Sequence, residues 1–377
     1  MAALVPRDCR VRQAEVGAVL IASEAREEMY SCPTPTTPSR CVHPALEPVR
    51  STGGGANASL LVVWRSRWWF NYAETMTRVV SHAVHLAHSK QPVHFFFPPV
   101  QGASSWPPPF YSRLFKAFGS VHWTARTLRA HSFQAVWTCC VNGGPSGDPH
   151  YVASGHHVLQ RKTLGTFNLT LRPTVDEFDN ETAYETAVLA EGVRHSRRRQ
   201  MLFVNRTGPR QISNLPSLLE SCSALPGLSC RAIDFGAISY RTAVTTLNSH
   251  TDVLVGMHGA DLANSYFLAD GAVVIEVFGV AFGTQPTYGA AHFSLLNLTG
   301  VVHQRIMAAE TQPACVSSAR VACSRAGILS NQQRIGCFLP RVIDCAVSVK
   351  WDALLALLRR SWRGSGRGSG HEATHGA

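Results

Sequence analysis

Residues 252–277 read DVLVGMHGADLANSYFLADGAVVIEV, with a short apolar run at each end and a segment of helical spacing between them. The two runs, Asp252–Val255 and Ala272–Val277, have the length of buried strands. The segment Ala260–Leu268 predicts a helix. Because a strand, a helix and a second strand in succession form a right-handed crossover, this stretch predicts a parallel α/β sheet.

The same alternation extends back to residue 200. Gln200–Asn205 and Ser229–Ile233 predict two more strands, and Asn214–Cys222 and Ser239–Ser249 predict the helices that follow them. Short strands that are apolar throughout are typical of a parallel sheet covered on both faces. We therefore interpret residues 200–349 as a C-terminal Rossmann-like domain.

The N-terminal half gives weaker signals for a second α/β domain, at residues 59–193. Strands are predicted at Leu60–Trp64 and Val93–Phe97, with a helix at residues 72–88 between them. Two domains agree with the chain length of 377 residues. Three flanking segments complete the predicted organisation: an irregular lead-in at residues 1–58, a last helix at residues 350–360 and a disordered tail at residues 361–377.

The composition excludes several classes of protein. A hydrophobic content of 45% and a charged content of 16% exclude a disordered or coiled-coil chain. The net charge of +11 predicts an anionic partner. The densest basic run, Arg194–Arg199, is interpreted as a solvated linker, and in the absence of zinc-finger spacing or a recognition helix we expect no nucleic-acid binding. No apolar run approaches 18 residues, so no membrane span is expected.

Cysteines and sequons predict passage through the secretory pathway, in the Golgi or endoplasmic reticulum lumen. Cys315, Cys323, Cys337 and Cys345 lack the close pairs of a zinc site, which favours disulfides, with free buried thiols as the alternative. No signal anchor is visible at the N-terminus. Five N-x-[ST] sequons occur, at Asn57, Asn168, Asn180, Asn205 and Asn297. Asn205 is expected to be bare, because a glycan there would block the predicted site.

Polar candidates follow each predicted strand of the C-terminal domain. Arg206 and Arg210 follow the first strand, Asp234 the second and Gly256–Ala260 the third, and Glu276 lies at the end of the fourth. Ligands of open α/β sheets bind beyond the carboxyl ends of the strands. The sequence therefore predicts one ligand-binding rim.

The residue types on this rim suit a nucleotide diphosphate. Arg206 and Arg210 can bind phosphate oxygens bidentately. A helix that starts near Ala260 presents N–H groups to an anion, and Gly259 permits close approach. Glu276 suits a ribose diol. Four of the candidates also have an interpretation that involves no ligand. It is a surface salt bridge for Arg210, a core position for His258, a helix cap for Glu276 and a turn or helix cap for Asp234.

Missing motifs narrow the chemistry further. The chain has no G-x-x-x-x-G-K-[ST] motif, which excludes a P-loop NTPase, and no G-x-G-x-x-G after a strand, which argues against a dinucleotide oxidoreductase. It also has no D-x-D pair for a divalent ion on a diphosphate. We therefore expect arginine and helix dipole to neutralise the diphosphate, without a metal or other cofactor.

The ordered motifs resemble those of glycosyltransferase family 61. They are the stretch with Arg206, Arg210 and Asn214, the strand before Asp234, the segment GMHGADLANSYFL from Gly256 to Leu268, and VVIEVF with Glu276. Two weaker likenesses are Trp68–Tyr72 at the first helix and Gln160–Gly165, interpreted as a strand before a glycine. The nucleotide-sugar site that the resemblance implies comprises Arg206, Arg210, Asn214, His258, Gly259, Ala260 and Glu276.

The resemblance implies a GT-B fold, in which two Rossmann-like domains face a cleft. It implies an inverting, metal-independent transfer of xylose or GlcNAc from a UDP-sugar to a hydroxyl of a glycan or protein. The chain departs from the family at Glu74, where members usually carry His, and at Asp261, where many have Gly. Glu74 and Asp234 are the candidate bases. The missing His leaves open a catalytically silent member that binds glycan or nucleotide.

Overall fold

The chain folds into two compact units, Met1–Thr170 and Leu171–Ala377, which are described separately. The computed structural model describes residues 9–13, 19–22, 46–49, 59–66, 71–87, 89, 91–97, 109–123, 125–128, 133–141, 149–172, 199–279, 295–325 and 341–365. Most of the predicted lead-in, the end of the first predicted domain near residue 193 and most of the predicted tail lie outside these residues.

The first unit contains a five-stranded mixed sheet in the order β1-β7-β4-β5-β6. The strands are β1 (Cys9–Gln13), β4 (Ser59–Ser66), β5 (Val93–Phe96), β6 (Ser120–His122) and β7 (Phe133–Val141). Only β1 pairs antiparallel, against β7. Strands β2 (Val19–Ala22) and β3 (Leu46–Val49) pair antiparallel in a separate two-stranded sheet.

The described residues of this unit form the helices α1 (Tyr72–Ala87), α2 (Pro109–Phe115), α3 (Ala125–Leu128) and α4 (Pro149–Thr166). Helix α1 buries Met76, Val79, Val80 and Ala83, which share one face at helical spacing. A Cβ at Gly155 in α4 would overlap the carbonyl oxygen of Val80, so the glycine allows α1 and α4 to pack closely.

The strand interpretation of Gln160–Gly165 is wrong, because these residues lie inside α4. Leu159, Thr163 and Leu164 are buried at the period of a helix. The Gln160 side chain contacts His156 one turn earlier, with 2.7 Å between Nε2 atoms. Gly165 therefore lies near the end of a helix and does not mark the end of a strand.

The second unit contains a fully parallel five-stranded sheet in the order β9-β8-β10-β11-β12. The strands are β8 (Arg199–Val204), β9 (Leu228–Ile233), β10 (Val253–Met257), β11 (Val273–Phe278) and β12 (Val302–Met307). All four predicted strands are confirmed, and so is the α/β class. Strand β12 was not predicted, because its sequence VHQRIM has three polar residues in succession, and two of its six residues are exposed at the sheet edge.

Helices cover this sheet on both faces. They are α5 (Leu215–Ser223), α6 (Tyr240–His250), α7 (Pro313–Arg325), α8 (Trp351–Ser365), and the 3₁₀ helices Ala260–Phe267 and Leu295–Leu298. The helix predicted from Ala260 is thus a 3₁₀ helix, and the predicted last helix extends to Ser365. Phe203, Val255 and Ile275 of the strands pack with Leu354 and Leu358 of α8 in one core. Full burial of each such side chain contributes about 1.5–3 kcal/mol.

Disulfides link elements of the second unit. Cys222–Cys230 joins α5 to β9, and Cys315–Cys345 joins α7 to the segment before β14 (Val347–Ser348), which pairs with β13 (Glu310–Thr311). Cys323 is also disulfide-bonded, which confirms disulfides for three of the four predicted cysteines. Cys337 lies outside the described residues.

Candidate functional site

The strand order of the second unit creates a crevice at the carboxyl ends of β8 and β10. From β8 the chain crosses first to β9 on one side, and the later strands β10, β11 and β12 follow on the other. In open α/β sheets this switch point is where ligands bind. The loops that leave β8 and β10 carry Arg206 and Arg210, and His258 and Gly259, respectively.

The two loops contact each other through the arginines. Arg210 Nη1 donates to the backbone oxygen of His258 over 3.4 Å. A Cβ placed on Gly259 would lie 2.7 Å from Arg206 Nη1 and 3.4 Å from Arg210 Nη1. Gly259 therefore lets both guanidinium groups lie against its backbone, and a side chain at this position would displace the Arg206 guanidinium. The structure thus brings together Arg206, Arg210, His258, Gly259 and, as the next residue, Ala260.

Arg210 is held in an unusual backbone conformation by the segment before β14. Its φ of 64° is left-handed, which costs energy for a residue other than glycine. Its N–H donates to the Asp344 carbonyl at 3.0 Å, and its Nε to the Asp344 carboxylate at 3.0 Å. Asp344 precedes the disulfide-bonded Cys345, so this crosslink anchors the segment that shapes the arginine loop.

Arg206 forms an ion pair with Asp261, with 2.7 Å between Nε and Oδ2. Within the described part of the chain, its Nη1 atom is buried and has no hydrogen-bond partner. A buried donor without a partner costs roughly 1–3 kcal/mol. Since Nη1 lies beside the Gly259 backbone at the switch point, an anion that bound there would satisfy it.

Asp261 connects the arginines with Asp234. Burial raises the pKa of Asp261, and the negative charge of Asp234 raises it further, while the positive charges of Arg206 and Arg210 oppose the shift. Asp234 follows β9 and accepts a hydrogen bond from the Gly236 N–H at 2.8 Å, which fits its predicted turn position. Ser239, not Asp234, caps α6. Asp234 is therefore close enough to influence the charge of Asp261, the ion-pair partner of Arg206.

His258, Glu276 and His303 form a buried chain of hydrogen bonds. His258 Nδ1 lies 2.5 Å from Glu276 Oε1, and His303 Nε2 lies 2.8 Å from Glu276 Oε2. Burial alone would raise the pKa of Glu276, but the hydrogen bonds from the two imidazoles outweigh it and the pKa is lowered. The carboxylate is therefore ionised, and both imidazoles donate to it. The His258 ring also stacks on Phe278, with 5.2 Å between centroids.

Two predicted ligand contacts do not agree with the structure. Glu276 has no exposed surface and accepts hydrogen bonds from the two histidines, so it does not present its carboxylate to a ribose diol. The Asn214 amide donates to and accepts from the backbone of Val349 at 2.8 and 3.0 Å, which makes it a structural tie. Glu74 lies in α1 of the first unit, and its side chain is outside the described residues.

Sequence reasoning missed Asp344 and His303, and it singled out Asp261 only as a departure. Asp344 and Arg210 are 134 residues apart, and His303 and Glu276 are 27 residues apart on neighbouring strands. No local motif marks either residue.

Comparisons with known proteins agree with this picture. The family model described as Glycosyltransferase 61 matches residues 59–275, more than half of the chain. An EGF domain-specific O-linked N-acetylglucosamine transferase from Xenopus laevis is 32% identical over 84 residues, which are 21% of this chain and 15% of that protein. This chain therefore spans only a small part of the length of that relative.

A solved structure with a weaker likeness is the bacterial iron-containing dodecameric glycosyltransferase TibC from enterotoxigenic E. coli H10407. The similarity covers 85% of this chain and 81% of that one, at 9% identity and a TM-score of 0.34. Within the described ranges of the present chain, no helix has both the length and the apolar character that a membrane crossing requires.

Proposed function

This chain belongs to glycosyltransferase family 61, and we propose that it transfers a sugar from a UDP-sugar to a hydroxyl of a glycan or glycoprotein. The observation that carries the proposal is the switch-point cluster of Arg206, Arg210 and His258 around Gly259. Cationic side chains at this position of a parallel sheet suit a diphosphate. Xylose and GlcNAc are the proposed sugars.

The diphosphate is proposed to bind without a metal ion. Two guanidinium groups at the switch point supply positive charge for the leaving UDP. The buried Arg206 Nη1 can donate a hydrogen bond to a phosphate oxygen. If so, a chelator leaves turnover unchanged. Loss of turnover with EDTA, restored by a divalent cation, would contradict this part of the proposal.

The proposed reaction inverts the configuration at the anomeric carbon. A carboxylate base takes the proton of the acceptor hydroxyl, and the oxygen forms a bond to the anomeric carbon. The bond from that carbon to the diphosphate oxygen breaks, and UDP leaves with the electron pair. Asp234, which lies near the arginine cluster, and Glu74 are the bases that we propose to test.

The GT-B fold and the secretory location are also part of the proposal. Each unit has a five-stranded sheet with parallel strands, as a protein of two Rossmann-like domains requires. Disulfides form mainly in oxidising compartments, and the sequon residues Asn168 and Asn297 are exposed. A shift in mass after glycosidase treatment of the protein secreted by eukaryotic cells tests this location.

A donor-binding protein without transferase activity is the second candidate. The ion pair between Arg206 and Asp261 favours it, because a carboxylate already neutralises one of the two arginines. Turnover of the donor separates the two functions, since a silent binder is stabilised by UDP-sugars but releases no UDP.

The test is UDP release from UDP-xylose and UDP-GlcNAc by the wild-type protein, Arg206→Ala and a control. Arg320→Ala is the matched control, because Arg320 is exposed on α7. Activity should be lost in Arg206→Ala and kept in Arg320→Ala. Equal activity in both variants would refute the site, and binding of UDP without any turnover would support the silent binder.

A further inference from the structure

The buried chain of His258, Glu276 and His303 is not explained by anion binding alone. The side chains of Glu276 and His303 are 0% and 2% exposed, whereas His258 is 12% exposed and lies in the loop at the switch point. A buried carboxylate is tolerated only when its oxygens are paired. His258 pairs with only one oxygen of the Glu276 carboxylate, and His303 pairs with the other.

The chain crosses three neighbouring strands of the sheet. His258 directly follows β10, Glu276 lies in β11 and His303 lies in β12. His303 lies at the end of this chain of hydrogen bonds that is farther from the switch point. Its backbone N–H donates to Asn297 Oδ1 at 2.7 Å, which fixes its position. Hydrogen bonds therefore connect His303, through Glu276, to His258 in the loop that contacts Arg210.

The geometry restricts the His258 ring in two ways. Because Glu276 accepts a hydrogen bond from Nδ1, that nitrogen carries a proton. The ring plane is held at 20° to Phe278. Partners of this kind commonly fix the tautomer and orientation of a functional imidazole.

We propose that His303 is a positioning residue, which acts through Glu276 to hold the His258 imidazole in place for the diphosphate of the donor. This inference rests on the proposed function, since it concerns the same donor. His303 itself touches no substrate. Its contribution to donor binding therefore exists only while Glu276 and His258 are both present.

A double-mutant cycle on UDP affinity, measured by calorimetry, separates positioning from a merely structural role. His303→Leu removes the hydrogen bond to Glu276, and we expect it to weaken UDP binding by about tenfold. In a His258→Ala background the same change should alter the affinity by less than about twofold, because the residue that it positions is absent. Equal losses in both backgrounds would overturn the proposal.

His303→Gln provides the matched rescue and protects the test against misfolding. Its amide nitrogen reaches a place similar to Nε2 and can donate to Glu276. UDP affinity should return to within about threefold of wild type. An affinity as weak as that of His303→Leu, in a protein that unfolds at the wild-type temperature, would contradict the inference.

A second readout needs no nucleotide. In protein labelled with ¹⁵N-histidine, the nitrogen signals of His258, identified by their loss in His258→Ala, should report the Nδ1–H tautomer. They should change in Glu276→Gln, whose NH₂ group reverses a hydrogen bond, and in His303→Leu. Unchanged His258 signals in both variants overturn the positioning, whereas failure of the wild-type protein to bind UDP overturns the proposed function.

Discussion

At the carboxyl ends of its strands, the sheet of the second unit carries charged side chains, whereas the sheet of the first unit carries packed aromatic rings. Phe97 follows β5 and Trp123 follows β6, with 5.0 Å between their ring centroids. Tyr111 and Phe115 of α2 pack on Phe97, and burial raises the pKa of Tyr111. Rings therefore pack beyond β5 and β6 in one unit, and guanidinium groups lie at the switch point beyond β8 and β10 in the other.

The comparison teaches that two α/β sheets in one chain can differ in what lies beyond their strands. Aromatic packing contributes stability beyond β5 and β6, while the switch point of the second unit contains an ion pair and a buried donor without a partner among the described residues. Substitutions among the aromatic residues beyond β5 and β6 (the first rim) should therefore change stability. Substitutions at the switch point beyond β8 and β10 (the second rim) should change donor affinity.

The largest expected effect is on stability. Phe97→Ala removes a fully buried ring that contacts three other aromatic residues, and should lower the free energy of unfolding by about 3–5 kcal/mol. Chemical denaturation measures this loss. The UDP affinity of the folded variant should stay at the wild-type value. A tenfold loss of UDP affinity would contradict the distinction between the two rims.

The next effect concerns the disulfide that anchors the arginine loop. A variant with both Cys315→Ser and Cys345→Ser should lose about 2–4 kcal/mol of stability, because the unfolded chain is no longer constrained. UDP binding should weaken as well, since Asp344 beside Cys345 holds Arg210. Cys222→Ser with Cys230→Ser is the matched control, which should lower stability without weakening UDP binding.

Arg210→Ala should weaken UDP binding by about 10–100-fold, the loss of one or two charge-assisted hydrogen bonds. Calorimetric titration measures the change. The control is Arg113→Ala, an exposed arginine at the end of α2 in the first unit. Similar affinities for the two variants would mean that charge at the second rim is not what binds the nucleotide.

The smallest effect has the opposite sign. Asp261→Asn keeps an oxygen that accepts from Arg206 Nε but removes a negative charge near the proposed diphosphate. UDP affinity should increase about threefold to tenfold, and less so in high salt because exposed charges are screened. A weaker affinity in low salt would show that the carboxylate assists donor binding.

The two regions also differ in how far the sequence predicted them. Strands β8, β9, β10 and β11 were predicted because buried parallel strands are continuous apolar runs. The edge strand β12 instead has three polar residues in succession, and it was missed together with His303. In the first unit, the run Gln160–Gly165 was interpreted as a strand although its buried residues follow a helical period.

The candidate site was predictable where it depends on residues next to strand ends. Arg206, Arg210, His258 and Gly259 follow their strands within a few residues, so topology alone brings them together. The partners that fix them come from distant segments. Asp344 contacts Arg210, but it lies beyond β12 and α7 in the sequence. Glu276 is buried, and each of its two carboxylate oxygens is paired with a histidine.

The most direct test is a calorimetric titration of the wild-type protein with UDP, UMP and uridine in the presence of EDTA. If Arg206, Arg210 and His258 bind a diphosphate, affinity should decrease by about tenfold or more on removal of each phosphate group. Equal affinity for uridine and UDP, or binding of UDP only after a divalent cation is added, would contradict a cationic diphosphate site at this switch point.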